Sequence, residues 1–112
     1  MSDCIFCKIA SKEIGSLIYE DENVCAFNDI NPQAPVHILV IPKKHINTLN
    51  EVKNDFPLLG HMLKVATDIA KKMNIHENGY RLIMNCNEDG GQTVFHIHLH
   101  LIGGAKLKTE MG

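Results

Sequence analysis

The sequence predicts an α+β fold: a mostly antiparallel five-stranded sheet with one long helix and one or two short ones. Three observations carry this. Residues 58–73 repeat apolar side chains at helical spacing, with charges on the other side. Several β-branched runs are separated by Pro, Gly, Asn and Asp. The chain has 112 residues, 45% of them hydrophobic, enough for one compact domain spanning 1–112 with a core that needs no disulfide staples.

In chain order, residues 4–10 suit a turn or two of helix. Residues 17–19 and 24–30 read as a hairpin turning at 20–23. Residues 36–41 form a β-branched run suited to a buried strand, with Pro32, Pro35 and Pro42 marking loops around it. Leu58, Leu59, Met62, Leu63, Ala66, Ile69, Ala70 and Met73 make the apolar helix face. Lys64, Asp68, Lys71 and Lys72 make the polar one. Asn54 or Asp55 can cap the start, Pro57 is tolerated in the first turn, and Asn78-Gly79 is a natural stop. Residues 80–85 and 94–102 read as two further strands, joined by a turn-forming loop at 88–91.

The net charge is −2 and the basic residues are scattered, so neither DNA nor RNA is an expected partner. Met1-Ser2-Asp3-Cys4 has no basic or apolar signal region, and no apolar run is long enough to span a bilayer. No membrane partner is expected, and the localisation expected is cytoplasmic. In that reducing setting Cys4-x-x-Cys7 points to metal or redox chemistry. Cys25 and Cys86 read as small residues in apolar stretches.

The chemistry is concentrated in Phe95-His96-Ile97-His98-Leu99-His100-Leu101-Ile102. Spacing two places three imidazoles on one face of a strand and Ile97, Leu99 and Leu101 on the other. A strand gains nothing from three adjacent imidazoles, which repel one another when protonated. One metal shared by all three is hard to build, because the outer two lie about 13 Å apart along a strand. A phosphate site with a neutral imidazole nucleophile is the other reading. The approach favours it: Asn85, the backbone of Gly90-Gly91, Gln92 and Thr93 supply donors to an anion.

The string His96-Ile97-His98-Leu99-His100-Leu101-Ile102 resembles the motif of the histidine triad (HIT) family, in its Hint-type branch. Asp29-Ile30, Pro32-Gln33-Ala34-Pro35, His37 through His45 and Asp89-Gly90-Gly91-Gln92 extend the likeness over nearly the whole chain. The resemblance implies a HIT-like fold and a homodimer whose sheets join. It implies purine nucleotide substrates of the AMP or GMP type, and hydrolysis of nucleoside 5′-phosphoramidates to the nucleotide and an amine. His98 matches the nucleophile, which would form a nucleotidyl-histidine. His100 matches a residue bonding the α-phosphate, Thr93 one near the leaving amine, and His37 a fourth histidine that orients the triad. Asn85, Gly91 and Gln92 match the phosphate approach. Asp29 matches a ribose-binding carboxylate, and Ile5, Phe6, Ile9, Phe27 and Ile30 an apolar slot for the base. No cofactor is implied for catalysis. Some members pair two cysteines with two histidines, here Cys4, Cys7, His45 and His96, as a structural zinc site. Family members often carry a C-terminal tryptophan; this chain has none. The same triad could serve a dinucleoside polyphosphate hydrolase, a nucleotidyl transferase or a non-catalytic nucleotide-binding protein.

Overall fold

A computed structural model describes residues 3–111. Met1, Ser2 and Gly112, the ends of the expected domain, lie outside the described residues. The elements run α1 (Ile5–Ala10), β1 (Tyr19–Glu20), β2 (Val24–Asn28), β3 (Val36–Pro42), α2 (Phe56–Lys72), β4 (Tyr80–Ile83) and β5 (Leu99–Gly103). Single 3₁₀ turns occupy Leu49–Glu51 and Glu88–Gly90. The five strands form one sheet in the order β1-β2-β3-β5-β4, and every neighbouring pair is antiparallel.

Both faces of the central strands are buried, which explains the near-continuous apolar runs at β2 and β3. Val24, Ala26, Ile38, Val40, Leu99 and Leu101 pack toward α2, against Met62, Val65, Ala66, Ile69 and Ala70. Each fully buried aliphatic side chain there contributes about 1.5–3 kcal/mol. Cys25, Phe27, Leu39 and Ile41 point to the opposite face, where Phe6 and Ala10 of α1 cover them. That second face carries the histidines.

The structure departs from the sequence reading at four places. The long helix ends at Lys72, close to the expected Met73, and its stop is Asn74 rather than Asn78-Gly79. Asn74 takes a left-handed conformation (φ 60°), and the N–H groups of Met73 and Ile75 bond back to Ile69 and Ala70. Asn78-Gly79 instead turns the chain into β4. Of the expected apolar helix face, Leu63 and Met73 are exposed, while Val65 of α2 enters the core. Asp55 stands at the N-cap position without a capping bond; its carboxylate pairs with Lys44 at 2.9 Å.

The fourth departure concerns the histidine strand. Regular pairing begins at Leu99, although the pattern runs from residue 94. Continuing the β3–β5 register sets Pro42 opposite Ile97. Proline has no N–H to give a ladder. The Pro42 carbonyl instead accepts from His96 Nε2 at 2.7 Å, and Ile97 N–H donates to Ile46 O at 2.8 Å. The segment bends at residues 94–96 and runs to Leu99 without a strand partner, and the alternation of faces survives from His96 to Leu101.

Candidate active site

A cavity of about 510 Å³ opens between α1, the loop after β2 and the histidine segment. Ile5, Phe6 and Ile9 come from α1, because a helix presents neighbouring turns to one side. Phe27 and Leu39 form part of its apolar wall. Asp29 and Ile30 stand where β2 runs out into a loop. Thr93, Val94, His98 and His100 complete it. Ile30 is 91% exposed, so it stands at the rim.

The hydrogen bonds fix the state of each ring nitrogen. His98 Nδ1 lies 2.8 Å from the backbone carbonyl of His96. A carbonyl only accepts, so Nδ1 carries the proton and Nε2 keeps its lone pair. Burial depresses the His98 pKa and outweighs the pull of the His96 carbonyl and of Asp29, which holds the ring neutral. The edge-on Phe6 ring, 5.1 Å away between centroids, walls one side.

His37 and His100 form a second chain of inference. The backbone N–H of Gln33 donates to His37 Nδ1 at 3.0 Å. His37 therefore carries its proton on Nε2, which lies 2.9 Å from His100 Nδ1 and 3.4 Å from Asp29 Oδ2. His100 Nδ1 must accept. Its own proton then sits on Nε2, on the ring edge away from His37. Burial, with His98 and His37 adding to it, lowers the His100 pKa to about 4 against the pull of Asp29. The site thus presents one imidazole lone pair beside one imidazole N–H. Asp29, His37 and His100 also have donor atoms in mutual reach for a cation. A metal on His37 Nε2 would have to displace the proton that the Gln33 N–H holds there, so hydrogen bonding is the fitting use of this group.

A model of the HIT domain matches residues 11–107. The chain belongs to the HIT family. It is 52% identical over 107 residues to a purine nucleoside phosphoramidase of Escherichia coli (strain K12), covering 94% of this chain and 90% of that protein. Among solved structures, a histidine triad protein from Clostridium difficile superposes with a TM-score of 0.95 at 47% identity, covering 98% of this chain and 97% of that one. A HIT family hydrolase from Legionella pneumophila Philadelphia 1 gives 0.93 at 50% identity, covering 97% and 99%.

Within this HIT domain the residues singled out from the sequence divide into three groups. Ile5, Phe6, Ile9, Phe27, Asp29, Ile30, Thr93, His98 and His100 line the cavity together, and His37 backs it through His100. Asp29 also accepts from the Asn31 N–H at 2.8 Å through Oδ1, so it serves its turn and the cavity at once. Asn85, Gly91 and Gln92 do not line the cavity. Gln92 is buried, and its amide accepts from Asn87 N–H and donates to the carbonyls of Asn47 and Val94. It braces the loop that carries Thr93. Gly91 sits at φ 90° beside Asn85, a conformation that glycine adopts freely. Leu39 and Val94 line the cavity without having been singled out. The pairing of Leu39 with His100 across β3 and β5 is the signal that finds Leu39.

The third group is Cys4, Cys7, His45 and His96, whose donor atoms all lie within 4.8 Å of one another. Cys4 Sγ is 3.4 Å from His96 Nδ1, and Cys7 Sγ is 3.2 Å from His45 Nδ1 and 3.5 Å from His96 Nδ1. Zinc bonds of about 2.3 Å to sulfur and 2.0–2.1 Å to nitrogen at a tetrahedral angle put such donors about 3.6 Å apart. Both rings turn Nδ1 to the sulfurs because Nε2 donates elsewhere, His96 to Pro42 O and His45 to Asn47 Oδ1 at 2.6 Å. That arrangement is how proteins orient histidine ligands. The donor set fits a structural zinc ion.

Proposed function

We propose that the chain is a purine nucleoside phosphoramidase, one domain over 1–112, which cleaves the P–N bond of nucleoside 5′-phosphoramidates through a nucleotidyl-His98 intermediate. The observation that carries this is the free Nε2 lone pair of neutral His98 facing a nucleotide-sized cavity beside the His100 N–H. The purine enters the slot of Ile5, Phe6, Ile9, Phe27 and Ile30, and Asp29 accepts from the ribose hydroxyls. His98 Nε2 attacks phosphorus, the P–N bond breaks, and the amine departs with its electron pair and a proton taken from solvent, leaving a cationic nucleotidyl-His98. His100 Nε2–H donates to the phosphoryl oxygens, with Thr93 beside the leaving amine and held there by the loop of Asn85, Gly91 and Gln92 outside the cavity. Water then attacks phosphorus, the P–Nε2 bond breaks, one water proton returns to solvent, and the nucleotide leaves a neutral His98. His37 positions His100. No step passes through a metal. When bound to Cys4, Cys7, His45 and His96, zinc would pin α1 against the sheet and hold the His96 ring.

The proposal includes a cytoplasmic homodimer formed by pairing of sheet edges. β4 supports this as a four-residue edge strand, against two residues at β1. The cytoplasm suits the four free cysteines.

Intact-mass analysis after rapid quenching tests the mechanism. Adenosine 5′-phosphoramidate should leave an AMP-sized adduct that maps to His98, and His98→Ala should abolish both adduct and turnover. An adduct on another histidine would overturn the assignment.

A further inference from the structure

A second cavity of about 570 Å³ adjoins the first across a shared wall of Ile5, Thr93 and Val94, and continues to Phe95, Asp3, Cys4 and His45. The positions along the histidine segment give the two cavities a direction. Asp29 and His37 lie at the His100 end, while the Cys4–His45 cluster lies at the His96 end. If Asp29 holds the ribose, a substrate anchored there runs past His100 and His98 toward Thr93. Whatever is bonded to phosphorus on the side away from the nucleoside then passes over Thr93 and Val94 into the second cavity.

Resting on the phosphoramidase reading, we propose that this second cavity receives the leaving amine and selects amines with an apolar body and a further positive charge. Phe95 is the determinant of the apolar part. The residue is 44% exposed although His96 and Ile97 after it are fully packed, so it offers surface to a ligand without serving the core. Ile5 and Val94 extend the same apolar surface. Asp3, exposed at the mouth, is the charged determinant. Among the described residues no lysine or arginine lines this cavity, and both His45 ring nitrogens are engaged by Cys7 and Asn47. Among the described residues a polyphosphate leaving group would therefore meet a carboxylate and no partner cation. The cavity thus also weighs against dinucleoside polyphosphates as substrates.

The test compares kcat/KM for four adenosine 5′-phosphoramidates: the unsubstituted compound, the N-(2-phenylethyl) compound, and the latter with either an aminomethyl or a carboxylate group on the ring. The unmodified protein should prefer phenylethyl over unsubstituted, and ammonium over carboxylate. Phe95→Ala should lower the first preference about five- to tenfold, in line with an apolar contact in a half-open site. Asp3→Asn should lower the second. Each preference is a ratio within one protein, so partial misfolding cancels. A phenylethyl preference that Phe95→Ala leaves within about twofold overturns the assignment. Absence of turnover with the unsubstituted compound instead defeats the phosphoramidase reading. The cavity is then read by calorimetry, using adenosine phosphonate monoesters in which carbon replaces the bridging nitrogen. Tighter binding of the phenyl-bearing ester, lost in Phe95→Ala, sustains the cavity's role; equal binding in the two proteins refutes it.

Discussion

The backbone N–H of Gln33 fixes the protonation of two imidazoles in series. It occupies His37 Nδ1, which forces the His37 proton to Nε2 and makes His100 Nδ1 an acceptor. In the proposed mechanism this leaves His100 a donor at the phosphoryl group. His37→Phe keeps a ring of similar size and removes the N–H. It should lower kcat by about 10²-fold, within the usual range for loss of a proton-transfer group, with little change in KM. Steady-state kinetics on adenosine 5′-phosphoramidate checks this, and a parallel rise in KM would argue for loss of binding. A second residue has two tasks. His96 offers its ring to the cysteine cluster and its carbonyl to His98 Nδ1. Cys7→Ala should therefore loosen both, with a lower Tm and a loss of the single Nδ1–H tautomer of His98 in ¹⁵N NMR.

At the scale of elements, the β1–β2 turn is tied to α2 through one carboxylate. Asp21 accepts from the backbone of Asn23 and Val24 through Oδ1, and through Oδ2 it meets the Tyr19 hydroxyl at 2.7 Å and His61 Nε2 at 2.6 Å. Burial alone would raise its pKa, yet these hydrogen bonds win and hold it far below the usual carboxylate range. A depressed folded pKa contributes stability that is present above the unfolded value, about 4, and is lost as pH falls below it. Asp21→Ala should cost about 1–3 kcal/mol at neutral pH, measured by urea unfolding, and should flatten the stability profile below about pH 4. The β4–β5 ladder makes a different demand. A Cβ at Gly103 would come within 2.9 Å of Ile75 Cδ1 and 3.2 Å of Tyr80 Cβ. Gly103→Ala should destabilise by about 1–3 kcal/mol through overpacking, read as a lower urea midpoint with unchanged m.

For the whole molecule, acid sensitivity and metal content are the accessible readouts. His100 faces His37 on β3, His98 on its own segment and Asp29 in the adjoining loop. Its folded pKa is about 4, below the ordinary value of 6.5. Between those values the unfolded chain binds a proton that the folded chain refuses, so stability falls as pH drops from 6.5 toward 4. His100→Gln should reduce that slope in a pH series of urea midpoints. Elemental analysis should find one zinc per chain, and chelation should lower Tm, because α1 rests on the sheet through Phe6, Ala10 and the Cys–His cluster. No helix among the described residues is long and apolar enough to cross a membrane.

The sequence by itself determined the α+β class, the single long helix and the alternation that separates three imidazoles from Ile97, Leu99 and Leu101. These follow from local spacing, which a chain carries before it folds. It also marked the residues of the cavity, through the likeness of their order to a family pattern. The tertiary structure decided what no spacing encodes. Pro42 denies the histidine segment a ladder partner, Asn74 ends the helix before the Asn-Gly pair, and Gln92 turns inward to brace its loop. The ring tautomers depend on Gln33 N–H and on the His96 carbonyl, which reach the imidazoles only when β3 and β5 pair. Hydrogen-bond direction is a property of atoms brought together across the sheet, and the assignment of lone pair and proton had to wait for that pairing.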